Sequence, residues 1–166
     1  MLHPGSGVYF LLYPQESAMA VTKLFIGSSS AAKSQAKKFV ETLSSHTLKF
    51  VPWWGNITPG QVLLDELDSV YEQVDGAVLL FSPESETKIR NDKKQIPNLN
   101  VLFEFGYFLG AFERKKIAMI KYGDFFLPSD FGGYQWIHGS RGFRRGGVQK
   151  ISDRTQAEFG RWLVNF

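Results

Sequence analysis

Between Leu99 and Phe112 the chain carries a single charged side chain, Glu104. Val101, Phe105, Phe108, Leu109 and Phe112 recur around it at helical spacing and form one apolar stripe. At about 100° per residue, Glu104 falls on the rim of that stripe, roughly 90° from its centre. Gly106 and Gly110 line a further side, where the spacing predicts the close approach of a strand or second helix. A helix apolar on most sides is buried, and a lone carboxylate in it is costly unless it is partnered or used. Two structural roles would partner it: interaction with the N-terminus of its own helix, or a buried salt bridge. The chemical role is stabilisation of positive charge in a transition state. At the start of a helix the dipole would keep the carboxylate ionised, the form suited to that task.

Other chemistries lack their residues. There is no cysteine, which removes thiol nucleophiles, disulfides and thiolate metal sites. His3, His46 and His138 are scattered without metal-ligand spacing, so no metal is expected. No Gly-x-x-x-x-Gly-Lys-Ser/Thr run, dinucleotide fingerprint or Gly-x-Ser-x-Gly elbow is present. A net charge of +3 favours an anionic small molecule weakly and gives none of the basic stripe expected of a nucleic-acid binder. No apolar run approaches the roughly 18–20 residues of a membrane helix, so no membrane contact is expected. What remains is a carboxylate site.

The elements that must position Glu104 alternate in type. Strands are expected at 24–26, 47–53, 77–81, 117–120 and 134–137, the third an unbroken apolar run suited to a central parallel strand. Helices are expected at 31–43, 61–74, 100–114 and 155–164. Polar loops fill 55–60 and 82–98, and Arg141, Arg144 and Arg145 sit among glycines in what reads as a solvated loop. This alternation predicts a flavodoxin-like α/β fold: a five-stranded, mainly parallel sheet of order 2-1-3-4-5 with helices on both faces. Ligands of such sheets bind beyond the carboxyl ends of the strands. Residues 1–20 lack the basic start of a signal peptide and are expected to be an extension of uncertain order, with Met19 an alternative start and 21–166 the domain proper.

Three motifs, in order, carry a family resemblance. Phe25-Ile26-Gly27-Ser28-Ser29-Ser30, Asn100-Val101-Leu102-Phe103-Glu104-Phe105-Gly106-Tyr107-Phe108-Leu109-Gly110 and Leu127-Pro128-Ser129-Asp130 resemble the TIR-like nucleotide-binding family of bacteria over roughly residues 22–140. The resemblance implies a TIR fold and an NAD+-cleaving effector in anti-phage defence, cytoplasmic and often fused to a sensor of cyclic nucleotides. It also implies that domains stack to become active, the loop after the second strand completing a neighbour's pocket. Glu104 then matches the catalytic glutamate and Asp130 the acid of the Pro-Ser-Asp motif. Gly27, Ser28, Ser29, Trp53, Trp54 and Asn100 join Asp130 as substrate-binding candidates, with NAD+ as substrate and no cofactor. Where the family often has Arg-Asp-Asn, this chain has Asn98-Leu99-Asn100, which leaves open how the loop or a phosphate is held; Lys88, Arg90 or Lys94 could substitute for the arginine.

Each secondary candidate has a structural alternative. Gly27, Ser28 and Ser29 either offer donors to ribose or phosphate at a helix N-terminus or simply cap the helix. Trp53 and Trp54 either stack on a base or fill the core. Asp130 either orients a ribose hydroxyl or makes a turn. Ile57 offers an exposed contact for stacking. Two rival functions stay open: a nucleoside 2-deoxyribosyltransferase-like enzyme, and a non-catalytic TIR interaction module.

Overall fold

A computed structural model describes residues 20–56, 62–131, 133–145 and 148–166. The extension up to residue 19, and Ile57 with the loop around it, lie outside the described residues. In chain order the elements are β1 (Thr22–Ser28), α1 (Lys33–Leu43), β2 (Leu48–Pro52), α2 (Trp53–Asn56), α3 (Leu63–Tyr71), β3 (Gly76–Phe81), β4 (Pro83–Ile89), β5 (Asp92–Pro97), α4 (Leu99–Ala111), β6 (Ile117–Tyr122), β7 (Ile137–Gly139), β8 (Arg141–Arg145), β9 (Val148–Ile151) and α5 (Asp153–Val164).

β2, β1, β3, β6 and β7 lie side by side in that order, all neighbours parallel. This is the expected 2-1-3-4-5 sheet. Side chains alternate across a strand, so a central strand must be apolar on both faces. In β3, Ala77, Leu79 and Phe81 face α3 and α4, packing with Phe25, Leu67, Val70, Val101, Phe105 and Phe108. Val78 and Leu80 face the other way, toward Ala36 and Phe39 of α1 and Phe159 of α5. Helices therefore cover both faces. The chain leaves β1 toward β2 through α1 on one face, and β3 toward β6 through α4 on the other. That divergence opens a crevice between the carboxyl ends of β1 and β3, where Gly27 pairs with Leu79 and Ser28 with Leu80.

Four expectations need correction. Residues 82–98 are not a loop but an antiparallel ribbon, β4 with β5, turning at Arg90 and Asn91, both at positive φ (49° and 71°). Two successive left-handed residues make the tight turn of a two-residue hairpin. The ribbon is polar, with Lys93 bonded to Glu86 at 2.9 Å and Lys94 to Asp92 at 3.7 Å, so no apolar alternation announced it. Arg141–Arg145 likewise lies in a strand, β8, paired with β9 (Val148–Ile151), rather than in a loop; the side chains of Arg141, Arg144 and Arg145 lie outside those described. The fifth strand starts at Ile137, later than expected. Tyr134 donates its hydroxyl proton to the carbonyl oxygens of Arg114 and Ile117 (2.8 and 3.0 Å), which holds it at the start of β6 and delays pairing to Ile137 with Ile120. Finally, Gly106 and Gly110 face solvent: a Cβ at either would meet nothing within 4 Å.

Candidate active site

The start of α4 is set by Asn98. Its Oδ1 accepts from the backbone N–H of Asn100 (3.0 Å) and of Val101 (3.4 Å), satisfying donors that a helix N-terminus leaves open. The helix therefore begins at Leu99, and Glu104 stands in its second turn, beyond the reach of the first-turn dipole. It also lies on the buried face rather than on its rim, one turn from Val101 and from Phe108, whose ring packs on Phe25 at 4.9 Å.

Glu104 is 7% exposed, and its Oε2 has no hydrogen-bond partner among the described residues. Neither structural role holds: there is no salt bridge to it among the described residues and no contact with the helix N-terminus. Burial without compensation pushes its pKa up to about 7. The expectation that the helix dipole favours the ionised form is thus corrected, because desolvation of the buried carboxyl dominates in the second turn. The carboxyl stands instead at the edge of ionisation near neutral pH.

Gly27 is brought directly against it. A Cβ on Gly27 would fall 2.8 Å from Glu104 Oε2 and 2.4 Å from Leu79 Cδ1, so only glycine lets the carboxyl reach the end of β1. Glu104 accordingly sits at the crevice between β1 and β3.

The two serines are occupied internally. Ser28 Oγ donates to the Ser29 carbonyl (3.1 Å) and accepts from Trp53 Nε1 (3.1 Å). Ser29 Oγ accepts from the Ala32 N–H at 3.1 Å, a capping-type bond, and donates to Glu84 Oε1. Both side chains are buried. Trp53 and Trp54 meet edge to face at 6.1 Å under the Lys33 ammonium, both half-buried. Trp53 packs on the α3–α4 side and Trp54 on the α1–α5 side.

Two candidates stand apart. The Asn100 side chain is exposed, and only its backbone N–H has a described role. Asp130 is exposed on the turn Ser129–Phe131, which docks on α4 through Phe131 against Phe105 (5.5 Å); no described bond joins it to Glu104. Asp130→Asn is expected to shift stability by less than about 0.5 kcal/mol, as for exposed positions generally. It should also weaken activity less than Glu104→Gln does. Thermal melts and steady-state kinetics on the one variant check both. Sequence reasoning missed Glu84, whose carboxylate meets Ser29, Ser82 and Asn98, because the polar ribbon carrying it had no strand signature. The cap at Asn98 was legible in principle, since Asn is a preferred cap before an apolar run.

Residues 23–141 match the family model described as the TIR domain of the CAP12/Pycsar effector protein. The chain belongs to that family. It is a bacterial TIR effector family of anti-phage defence, as the three motifs implied. Among its relatives, the CD-NTase-associated protein 12 of Sphingobacterium faecium is 32% identical over 67% of this chain and 34% of its own length. The Pycsar effector protein PaPycTIR of Pseudomonas aeruginosa is 31% identical over 59% of this chain and 33% of its own. Protein tirC of Dictyostelium discoideum is 30% identical over 48% of this chain and 45% of its own. The chain thus spans from about a third to under half the length of these relatives. No helix among the described residues is long and apolar enough to cross a membrane.

Proposed function

We propose that this CAP12/Pycsar TIR domain cleaves NAD+ at the bond between nicotinamide and ribose. The observation that carries the reading is the buried Glu104 carboxyl, with a free Oε2, against Gly27 at the crevice between β1 and β3. A buried acceptor without a partner is expensive, and a substrate that supplies donors and positive charge offsets that cost. NAD+ has both: ribose hydroxyls and a cationic nicotinamide ring. Bound beside Glu104, the positive ring favours the ionised carboxylate and lowers its pKa from about 7.

The C1′–N bond then breaks with its electron pair going to the ring nitrogen, which leaves as neutral nicotinamide. The carboxylate stabilises the oxocarbenium-like transition state and holds the ribose hydroxyls. Water adds to C1′ and gives up its proton to give ADP-ribose, or the adenine of the same molecule captures C1′ in a cyclic product. The leaving group departs from an already cationic nitrogen, so the scheme needs no metal and no cofactor beyond the substrate. In the full-length protein we place this domain in the cytoplasm, beside a sensor of a cyclic nucleotide signal, with TIR–TIR stacking as the activating step.

Incubation with NAD+ at rising protein concentration tests the proposal. Free nicotinamide is expected, with specific activity that climbs with concentration as light scattering reports assembly. A dilute monomer at full rate would remove the assembly step alone. Cleavage of deoxynucleosides in preference to NAD+ would point to a deoxyribosyltransferase-like enzyme, and no turnover in the assembled state would leave an interaction module.

A further inference from the structure

Four segments meet at Glu84: the residue after β1, the residue after β3, the ribbon and the cap of α4. One side chain outside the proposed chemistry ties them together. Glu84, the second residue of β4, is half-buried. Its Oε1 accepts from Ser29 Oγ and, at 3.2 Å, from Ser82 Oγ; its Oε2 accepts from Asn98 Nδ2 at 3.1 Å. Among the described residues no cation forms an ion pair with it. Neutral donors from three separate segments therefore hold the carboxylate. Two of them are committed elsewhere as well: Ser29 Oγ accepts the Ala32 N–H that opens the turn into α1, and Asn98 Oδ1 accepts the first N–H groups of α4.

We propose that Glu84 is a positioning residue whose carboxylate clamps Ser29, just past the end of β1, to the N-terminus of α4, and so fixes Glu104 against Gly27. The chain of cause is mechanical. Asn98 precedes Glu104 by six residues, about 9 Å along a helix axis. A shift or tilt at the cap is carried by the rigid helix to the carboxyl. Gly27 lies in β1 two residues before Ser29, so Glu84 holds both sides of the Gly27–Glu104 contact. The single Asn98 amide serves as both helix cap and donor to Glu84. Placement of a reacting group matters steeply, with about 1 Å of error enough to cost a large factor in rate. The activity part of this inference rests on Glu104 as the catalytic group; the clamp itself does not.

The test is a set of variants in the 166-residue protein, read by NAD+ kinetics and by amide hydrogen exchange at residues 28–32 and 100–101. Asn98→Asp keeps a good helix cap but replaces the donor to Glu84 with a second carboxylate. It is expected to lower kcat about tenfold or more with little change in KM, and to speed exchange in both segments. Glu84→Gln preserves the shape, because its amide oxygen can face Asn98 while its NH2 meets the Ser29 and Ser82 hydroxyls, which rotate to accept. It is expected to stay within about threefold of the parent, near the limit of what rotated hydroxyls should cost. Combined with Asn98→Asp, Glu84→Gln restores a donor–acceptor pair and is expected to recover most of the lost kcat and slow the exchange again.

Asn98→Asp with parental kcat and parental exchange would overturn the clamp, as would a double variant no better than Asn98→Asp. Loss of turnover in Glu84→Gln with unchanged exchange would overturn it too, assigning the charge to substrate binding instead. If the parent cleaves no NAD+, the exchange measurements still decide the clamp, so its failure and that of the proposed function are separable.

Discussion

Glu104→Gln is expected to lower NAD+ turnover by about 10²-fold or more, the scale for loss of one preorganised electrostatic group at a transition state, and to shift the stability difference from the parent in its own favour as pH rises. The two effects have one origin. Burial lifts the folded-state pKa of Glu104 from 4.5 to about 7. Between those values the folded protein binds a proton that the unfolded chain has released, so stability falls as pH rises through that window and levels off above it. At about 1.4 kcal/mol per pH unit, ionising the buried group costs the parent about 3 kcal/mol by pH 8. Glutamine never ionises and escapes that loss. Its own amide meets the same sparse surroundings, a pH-independent cost, so the informative quantity is the difference in Tm between variant and parent. That difference should move in favour of the variant from pH 5 to pH 8. The kcat/KM of the parent should rise with pH through about 7, since it reports the free-enzyme group. A variant that keeps parental turnover removes Glu104 from the chemistry. A Tm difference flat in pH removes the buried ionisation.

How much of this was legible in the sequence depends on which signal carried it. The sheet order followed from apolar runs separated by helical stripes, because a central strand such as β3 must be apolar on both faces. Glu104 was legible for the same reason: a lone charge in an apolar helix is conspicuous whatever the fold. Its ionisation was not, because the cause is desolvation, and the depth of its burial in the second turn of α4 depends on packing that no local pattern carries. The polar ribbon β4–β5 was invisible, since its pairing is made by backbone and by ion pairs such as Lys93–Glu86 rather than by an apolar face. Glu84 was lost with it. Gly106 and Gly110 misled because glycine spacing marks close approach only where something approaches, and here solvent does.

Gly27→Ala should cost both stability and turnover, and the two can be separated. The added Cβ would stand 2.4 Å from Leu79 Cδ1, 2.8 Å from Glu104 Oε2 and 3.0 Å from a ring carbon of Phe25. All three neighbours are buried, so none swings aside freely. Overpacking of this kind typically costs about 1–3 kcal/mol, visible as a lower Tm. Glu104 must also retreat from the end of β1, and even a fraction of 1 Å lowers the rate sharply. Loss of activity measured well below Tm, where the variant is folded, therefore reports displacement rather than unfolding. Leu79→Val sharpens the distinction. It shortens the side chain responsible for the 2.4 Å contact and leaves the 2.8 Å contact to Glu104 in place. In the double variant Tm should recover toward that of Leu79→Val alone, while kcat stays low. Recovery of both would mean that Gly27 serves only the packing of the sheet, and that the position of Glu104 is set elsewhere. Recovery of Tm alone ties the glycine, through one missing methyl group, to the carboxylate that the chemistry needs.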